Sequence, residues 1–210
     1  DEKFDEGMVG FAERVAAAVA VGSDRCCTWI PPSSDVTTDE WTARTVSRFQ
    51  KIMAVLNANG VRLGLEFVGP HHLRADGANA MGAFPTIWTL EQTLGLIDAI
   101  GPDGLGLLVD SYHLDTTSTD AAALLPLGDA LIVHAHINDA GSETTAETAL
   151  DGNRVLPGAG RLPLQHYVDV LKAIGYSGFL CCEVLTPTPL GPTPTDAANN
   201  IRESLRKLGV

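Results

Sequence analysis

Apolar residues along this chain fall into two alternating patterns. Segments 25–30, 62–67, 105–110, 131–137 and 178–184 are short and almost continuously apolar, as expected of strands covered on both faces. Between them, windows 5–21, 39–59, 90–100, 120–129, 163–174 and 196–208 read as helices. The clearest is 39–59, where Phe49, Ile52, Met53 and Leu56 recur at helical spacing, with Thr38 or Asp39 as N-cap and Gly60 just past the end. At 90–100, Thr89 followed three residues later by Gln92 reads as a capping box. Such alternation predicts an α/β fold, a parallel sheet wrapped by helices.

Connection lengths sharpen this expectation. Segments leaving a strand are long (31–38, 68–89, 111–119, 138–162 and 185–195), whereas returns from helix to strand take a few residues, such as Gly22-Ser23-Asp24 and Gly175-Tyr176-Ser177-Gly178. In a β/α barrel the loops after the strands build the active site and the opposite face only turns the chain around. A complete barrel has eight strands and about 250 residues. Here five strands are counted and the chain opens in a helix. The expectation is therefore one domain over 1–210 of (β/α)8 TIM-barrel type, holding about the last five β/α units, its N-terminal strands absent. A smaller open sheet is the alternative.

Composition narrows the partners. The chain of 210 residues is 45% hydrophobic and 19% charged, enough for one substantial core. Fourteen Lys and Arg against 26 Asp and Glu give a formal charge of -12, a field that repels nucleic acid and anionic membranes. The longest apolar stretches, such as 15–21, fall well short of the roughly 20 residues of a membrane span, and the expectation is that no signal segment opens the chain. The cysteines come as adjacent pairs, Cys26-Cys27 and Cys181-Cys182, inside strand segments. Neighbours on a strand point to opposite faces, so a local disulfide is not expected. All four read as reduced packing residues of a cytoplasmic protein.

The chemistry gathers at the strand ends. Leu63-Gly64-Leu65-Glu66, Leu107-Leu108-Val109-Asp110, Ile132-Val133-His134-Ala135-His136 and Phe179-Leu180-Cys181-Cys182-Glu183 each run out in a metal-binding side chain. A carboxylate at the end of an apolar strand needs a cation, an Arg or a set of hydrogen bonds. Four such residues in series along one rim favour a single divalent ion, and this mixture of oxygen and nitrogen suits Mn, Mg, Co or Zn. His134 and His136 share a face, with His136 nearer the rim and His134 better suited to packing. His113, three positions after Asp110, is a candidate for the same cavity, and Asp139 for orienting the His136 ring. His72, Arg74, Arg154, Arg161 and Trp29 are candidates for substrate contact, each with an alternative reading as a solvated or packed residue, as is Trp88. Loop 138–162, rich in Gly, is a candidate lid.

The run Glu66, Asp110-x-x-His113, His134-x-His136-x-x-Asp139, Pro157-Gly158-x-Gly160 and Glu183 resembles the sugar phosphate isomerase/epimerase superfamily, the xylose isomerase-like barrels. The resemblance covers about residues 5–208. It implies that Glu66, Asp110, His136 and Glu183 hold one divalent metal, that His113 faces a sugar or polyol-derived substrate, and that Glu66 and Glu183 stand on opposite sides of it as catalytic groups. The implied reaction is isomerisation or epimerisation, by proton transfer at the carbon next to a carbonyl. Dehydratases or lyases of the same superfamily share metal and base. Apurinic-site endonucleases share the fold but need an extra Asp-x-His where this chain reads Asp151-Gly152-Asn153-Arg154, and the negative charge opposes DNA. A non-catalytic barrel subunit is a further alternative, and a homo-oligomer is compatible with the sequence.

Overall fold

The computed structural model describes residues 2–210. It opens with helices α1 (Glu2–Met8) and α2 (Phe11–Ala20), strands β1 (Arg25–Ile30) and β2 (Ser33–Ser34), helix α3 (Thr38–Ala58), strands β3 (Arg62–Phe67) and β4 (Phe84–Pro85), and helix α4 (Leu90–Ile100). There follow β5 (Leu105–Asp110), α5 (Ser111–Thr116), β6 (Ile132–Ile137), β7 (Asp139–Ala140), β8 (Arg154–Val155), α6 (Leu164–Ala173), β9 (Leu180–Cys182) and α7 (Pro194–Lys207). Strands β1, β3, β5, β6 and β9 form one sheet in chain order, every pair parallel. Two small antiparallel pairs, β2 with β4 and β7 with β8, tie down the long segments that leave the strands.

All five expected sheet strands are present. Their outward residues, including Leu63, Leu65, Phe67, Leu105, Leu107, Val109, Ala135 and Ile137, join Met53 and Leu56 of α3, Leu96, Ile97 and Ile100 of α4, and Val168 and Leu171 of α6 in one core. Each such Leu, Ile or Phe contributes about 1.5–3 kcal/mol relative to exposure. The inward positions are different. Gly64 and Gly106 stand in register on β3 and β5, and a Cβ on Gly106 would lie 2.3 Å from the Leu131 carbonyl oxygen.

Several local expectations change for identifiable reasons. The helix expected over 5–21 divides at Gly10, whose left-handed φ of 65° cannot continue a helix. Window 120–129 folds into 3-10 turns over Ala121–Leu127 and Asp129–Leu131, because Pro126 lacks a donor and Gly128 sits at φ 69°. The cap of α3 is Thr37, whose hydroxyl accepts from the Glu40 N–H, rather than Thr38 or Asp39. The Thr89 capping box is present in full. Residues 111–116, expected as loop, form α5, which is too short to display a period and starts from the carboxylate of Asp110. The cysteines are free thiols, but Cys26, Cys27 and Cys181 are exposed rather than packed. They lie on β1 and β9, the sheet's edge strands, each flanked by a single neighbour.

Two glycines give opposite outcomes. Gly95 lies mid-α4 with open space where a Cβ would stand, so Gly95→Ala raises stability by about 0.5–1 kcal/mol. Gly106→Ala drives its methyl into the Leu131 carbonyl and lowers stability by about 1–3 kcal/mol. Urea denaturation midpoints of the two variants check both signs.

Candidate metal centre

Parallel pairing sets the candidate residues side by side. Trp29 is in register with Glu66, and Asp110 with His136. Glu183 follows β9, its N–H donating to the Ile137 carbonyl at 3.3 Å. One donor atom from each of Glu66, Asp110, His136 and Glu183 lies within 4.8 Å of all the others. His136 Nδ1 is central, 3.4 Å from Glu66 Oε1, 3.7 Å from Asp110 Oδ2 and 3.3 Å from Glu183 Oε2. Ligands held about 2.1 Å from one ion in tetrahedral array stand about 3.4 Å apart. The observed spacings fit a cation among the four atoms.

Unmet polar demand points the same way. Glu66 Oε1 and His136 Nδ1 are buried with no hydrogen-bond partner among the described residues, a cost of about 1–3 kcal/mol each that a shared cation removes. Burial pushes the His136 pKa down, but the Asp110, Glu183 and Glu66 carboxylates outweigh it and hold it well above the usual histidine range. Burial would raise the carboxyl of Asp110, yet Arg154 and His136 hold it below the ordinary range. Glu183 is lowered too, chiefly by His136. A deprotonated imidazole is what a metal requires, so the proton drawn to His136 occupies the place of a metal ion's charge.

Around these four, a buried scaffold fixes the strand ends. Asp110 Oδ1 accepts from the Tyr112 N–H at 2.6 Å, and Asn138 Nδ2 donates to both Asp110 oxygens at 3.0 Å. Ser111 Oγ donates to the Asn138 carbonyl at 2.9 Å and accepts from its N–H at 3.1 Å. The Tyr167 hydroxyl of α6 lies 3.1 Å from the carbonyls of both Val109 and His136, beneath the rim. Asn138, Asp151, Tyr112 and Tyr167 were not singled out as site residues. Asn138, polar and directly after an apolar strand, carried a readable signal; Tyr167 reaches the site only through tertiary packing.

The remaining candidates separate by place. A cavity of about 470 Å³ that reaches two of the four ligands, Glu66 and Glu183, is lined also by Trp29, His72, His113 and Arg154 among others. Trp29 is half-exposed and His113 only 2% exposed. His113 Nδ1 accepts from the Gly69 N–H at 3.4 Å, leaving Nε2 3.8 Å from Glu66 Oε1. Burial lowers the pKa of His72. Arg74 is not brought to this cavity: its guanidinium donates to the Gly69 and Thr116 carbonyls and stacks over Trp88. Arg161 is likewise engaged, in a paired contact with Asp115. Asp139 does not orient His136. Its buried carboxylate accepts from the N–H groups of Ala140, Gly158, Gly160 and Leu162 at 2.9–3.0 Å, because the chain turns into β7 directly after β6 and folds loop 156–162 back over it. His134 lies below His136, its ring edge-on at 5.2 Å.

The chain matches the xylose isomerase-like TIM barrel family over residues 1–208. It is 25% identical over 166 residues to the inosose isomerase of Bacillus subtilis (strain 168), covering 79% of this chain and 55% of that protein. It is 28% identical to the inosose isomerase of Bacillus velezensis over 69% of this chain and 47% of that one. The chain thus spans about half the length of these relatives. The xylose isomerase domain protein of Alicyclobacillus acidocaldarius superposes with a TM-score of 0.88 at 34% identity, covering 98% of this chain and 71% of that one. The IOLI protein with a binding zinc atom superposes at 0.80, at 20% identity, over 99% of this chain and 70% of its own. The parallel sheet is accordingly part of a barrel wall, and the chain belongs to the xylose isomerase-like TIM barrel family.

Proposed function

We propose that this chain carries the metal-binding side of a divalent-metal-dependent isomerase or epimerase of a sugar or sugar derivative. The observation that supports it most is the convergence of Glu66, Asp110, His136 and Glu183 on one cation-sized space at the mouth of the sheet. Curated relatives named inosose isomerase and D-psicose 3-epimerase, the latter from Enterocloster bolteae and 29% identical over 91 residues, support the substrate class.

Glu66, Asp110, His136 and Glu183 would hold a divalent ion, which would supply positive charge to substrate oxygen and so ease loss of the neighbouring carbon-bound proton. The protein's own part is positioning and proton movement. Glu183, at 36% side-chain exposure the more accessible carboxylate, is held ionised by His136 and Arg154 and takes the proton from carbon. The buried Glu66, once it has taken a proton from solvent, returns it to carbon. His113, its ring fixed by Gly69 and its Nε2 3.3 Å from Arg154 Nη2, lines the cavity, and Trp29 offers an apolar wall to one face of a ring. Arg154 is the one Lys or Arg among the residues lining this cavity, and carboxylates already engage it. Together with the diversion of Arg74 and Arg161, this favours an uncharged keto-sugar or cyclic polyol ketone over a phosphate ester.

Two measurements test the reading. Protein purified without chelator and equilibrated with Mn carries about one ion per chain by elemental analysis. His136→Ala loses it, and saturating Mn (about 100 times its Kd) raises the stability of the unaltered protein by about 2.7 kcal/mol; an unaltered protein holding no ion overturns the assignment. In deuterated water with Mn, a screen of ketoses and inososes yields two interconverting sugars with deuterium at the carbon next to the carbonyl. Glu183→Gln lowers that turnover by roughly 10²–10⁴-fold. An unsaturated product would identify a lyase instead.

A further inference from the structure

Arg154 is the one buried Lys or Arg among the described residues, at 2% exposure. Its guanidinium is surrounded by groups of the metal-binding kind. Nη1 lies 3.0 Å from Asp110 Oδ2, 2.9 Å from Glu183 Oε2 and 3.3 Å from the Glu183 carbonyl. Nη2 lies 2.7 Å from Asp151 Oδ1 and 3.3 Å from His113 Nε2. Beneath it, the Tyr112 ring centroid is 5.0 Å from Cζ. The buried Nε has no partner, so the guanidinium is held through its two terminal nitrogens, by three carboxylates and an imidazole. Two of those carboxylates, Asp110 and Glu183, also belong to the candidate metal set.

Charge explains why a cation stands there. Glu66, Asp110, Asp151 and Glu183, when ionised, bring four negative charges, of which a single divalent ion balances two and the Arg154 guanidinium a third, leaving one that solvent reaches at the partly exposed Asp151. Without the guanidinium, two would stand unmatched around the buried Asp110, which is expensive. The backbone delivers the guanidinium independently of these contacts: Arg154 pairs in register with Ala140, and its N–H donates to the Leu185 carbonyl at 2.9 Å. The geometry points to Arg154 as a built-in second cation, a positioning residue that holds Asp110 and Glu183 for the first ion and keeps the site to one metal. This inference rests on the metal reading above. It follows that removing the guanidinium leaves Asp110, His113, Asp151 and Glu183 as a donor set for another divalent ion.

The test counts metal rather than turnover. The unaltered protein, Arg154→Ala, Arg154→Met and Arg154→Lys are equilibrated with manganese chloride, and bound ions are counted by elemental analysis and calorimetric titration. The unaltered protein and Arg154→Lys, which keeps a charge, hold one ion. Arg154→Ala and Arg154→Met hold two, about 3.5–4 Å apart, with the electron paramagnetic resonance signature of a coupled manganese pair. Millimolar guanidinium chloride returns the count of these variants from two to one. Arg154→Met keeps the aliphatic stem over Tyr112; if either variant folds only with metal present, the count is made after refolding in manganese. One ion in both shortened variants, or a second ion indifferent to guanidinium, overturns the inference. No ion in the unaltered protein overturns the metal reading itself.

Discussion

Crowded negative charge is the constraint on which this structure turns. Three carboxylates from three strands meet a single imidazole within 4.8 Å at the mouth of a parallel sheet. Placed there without cations they would repel one another, and burial of Asp110 and Glu66 removes the water that would otherwise screen them. The surroundings respond in kind. Asn138 and the Tyr112 N–H satisfy Asp110, Arg154 links Asp110 with Glu183, and a proton is drawn toward His136. Each of these is a partial answer to a demand that a divalent ion meets directly.

The fold exists to hold that demand in place. The outer face of the sheet is sealed by α3, α4 and α6 through an uninterrupted apolar layer. The inner face keeps small residues at Gly64 and Gly106 and polar ones at the rim. Parallel pairing puts Trp29 beside Glu66, and a register shift between β5 and β6, where Leu107 pairs with Ile132 but Leu108 with His134, brings Asp110 level with His136. Strands rather than loops therefore carry Glu66, Asp110 and His136, which suits a site that tolerates little error of position.

Much of this was legible in the order of residues. Continuous apolar runs ending in Glu, Asp, His and Glu revealed both the strands and the rim, since period-two alternation fixes which side chains share a face. What escaped was information that sequence spacing does not carry. The six residues of α5 are too few to show a helical period. The division at Gly10 depends on a single backbone angle. Arg74 and Arg154 look alike as loop cations, but a short return to the Gly69 carbonyl captures the first, while the β7–β8 pairing swings the second under the carboxylates. Asp139 looked like a partner for His136 by proximity in sequence, yet the chain turns there and the side chain faces its own loop.

That turn has a bearing on how such a scaffold diversifies. With its carboxylate clasping four backbone amides, Asp139 fastens both feet of the segment between β6 and α6. A Cβ at Gly160 would already collide with the Ala140 carbonyl, so the foot itself admits little change. The stretch from Gly141 to Leu150 arches between these moorings and Arg154. Ala149 in the core, Thr144 beside Arg161 and the Leu150 carbonyl that accepts from Tyr112 hold it, but its exposed positions Ser142, Glu143, Thr145 and Glu147 can change, so recognition can be rewritten there while the four candidate ligands stay where the strands put them.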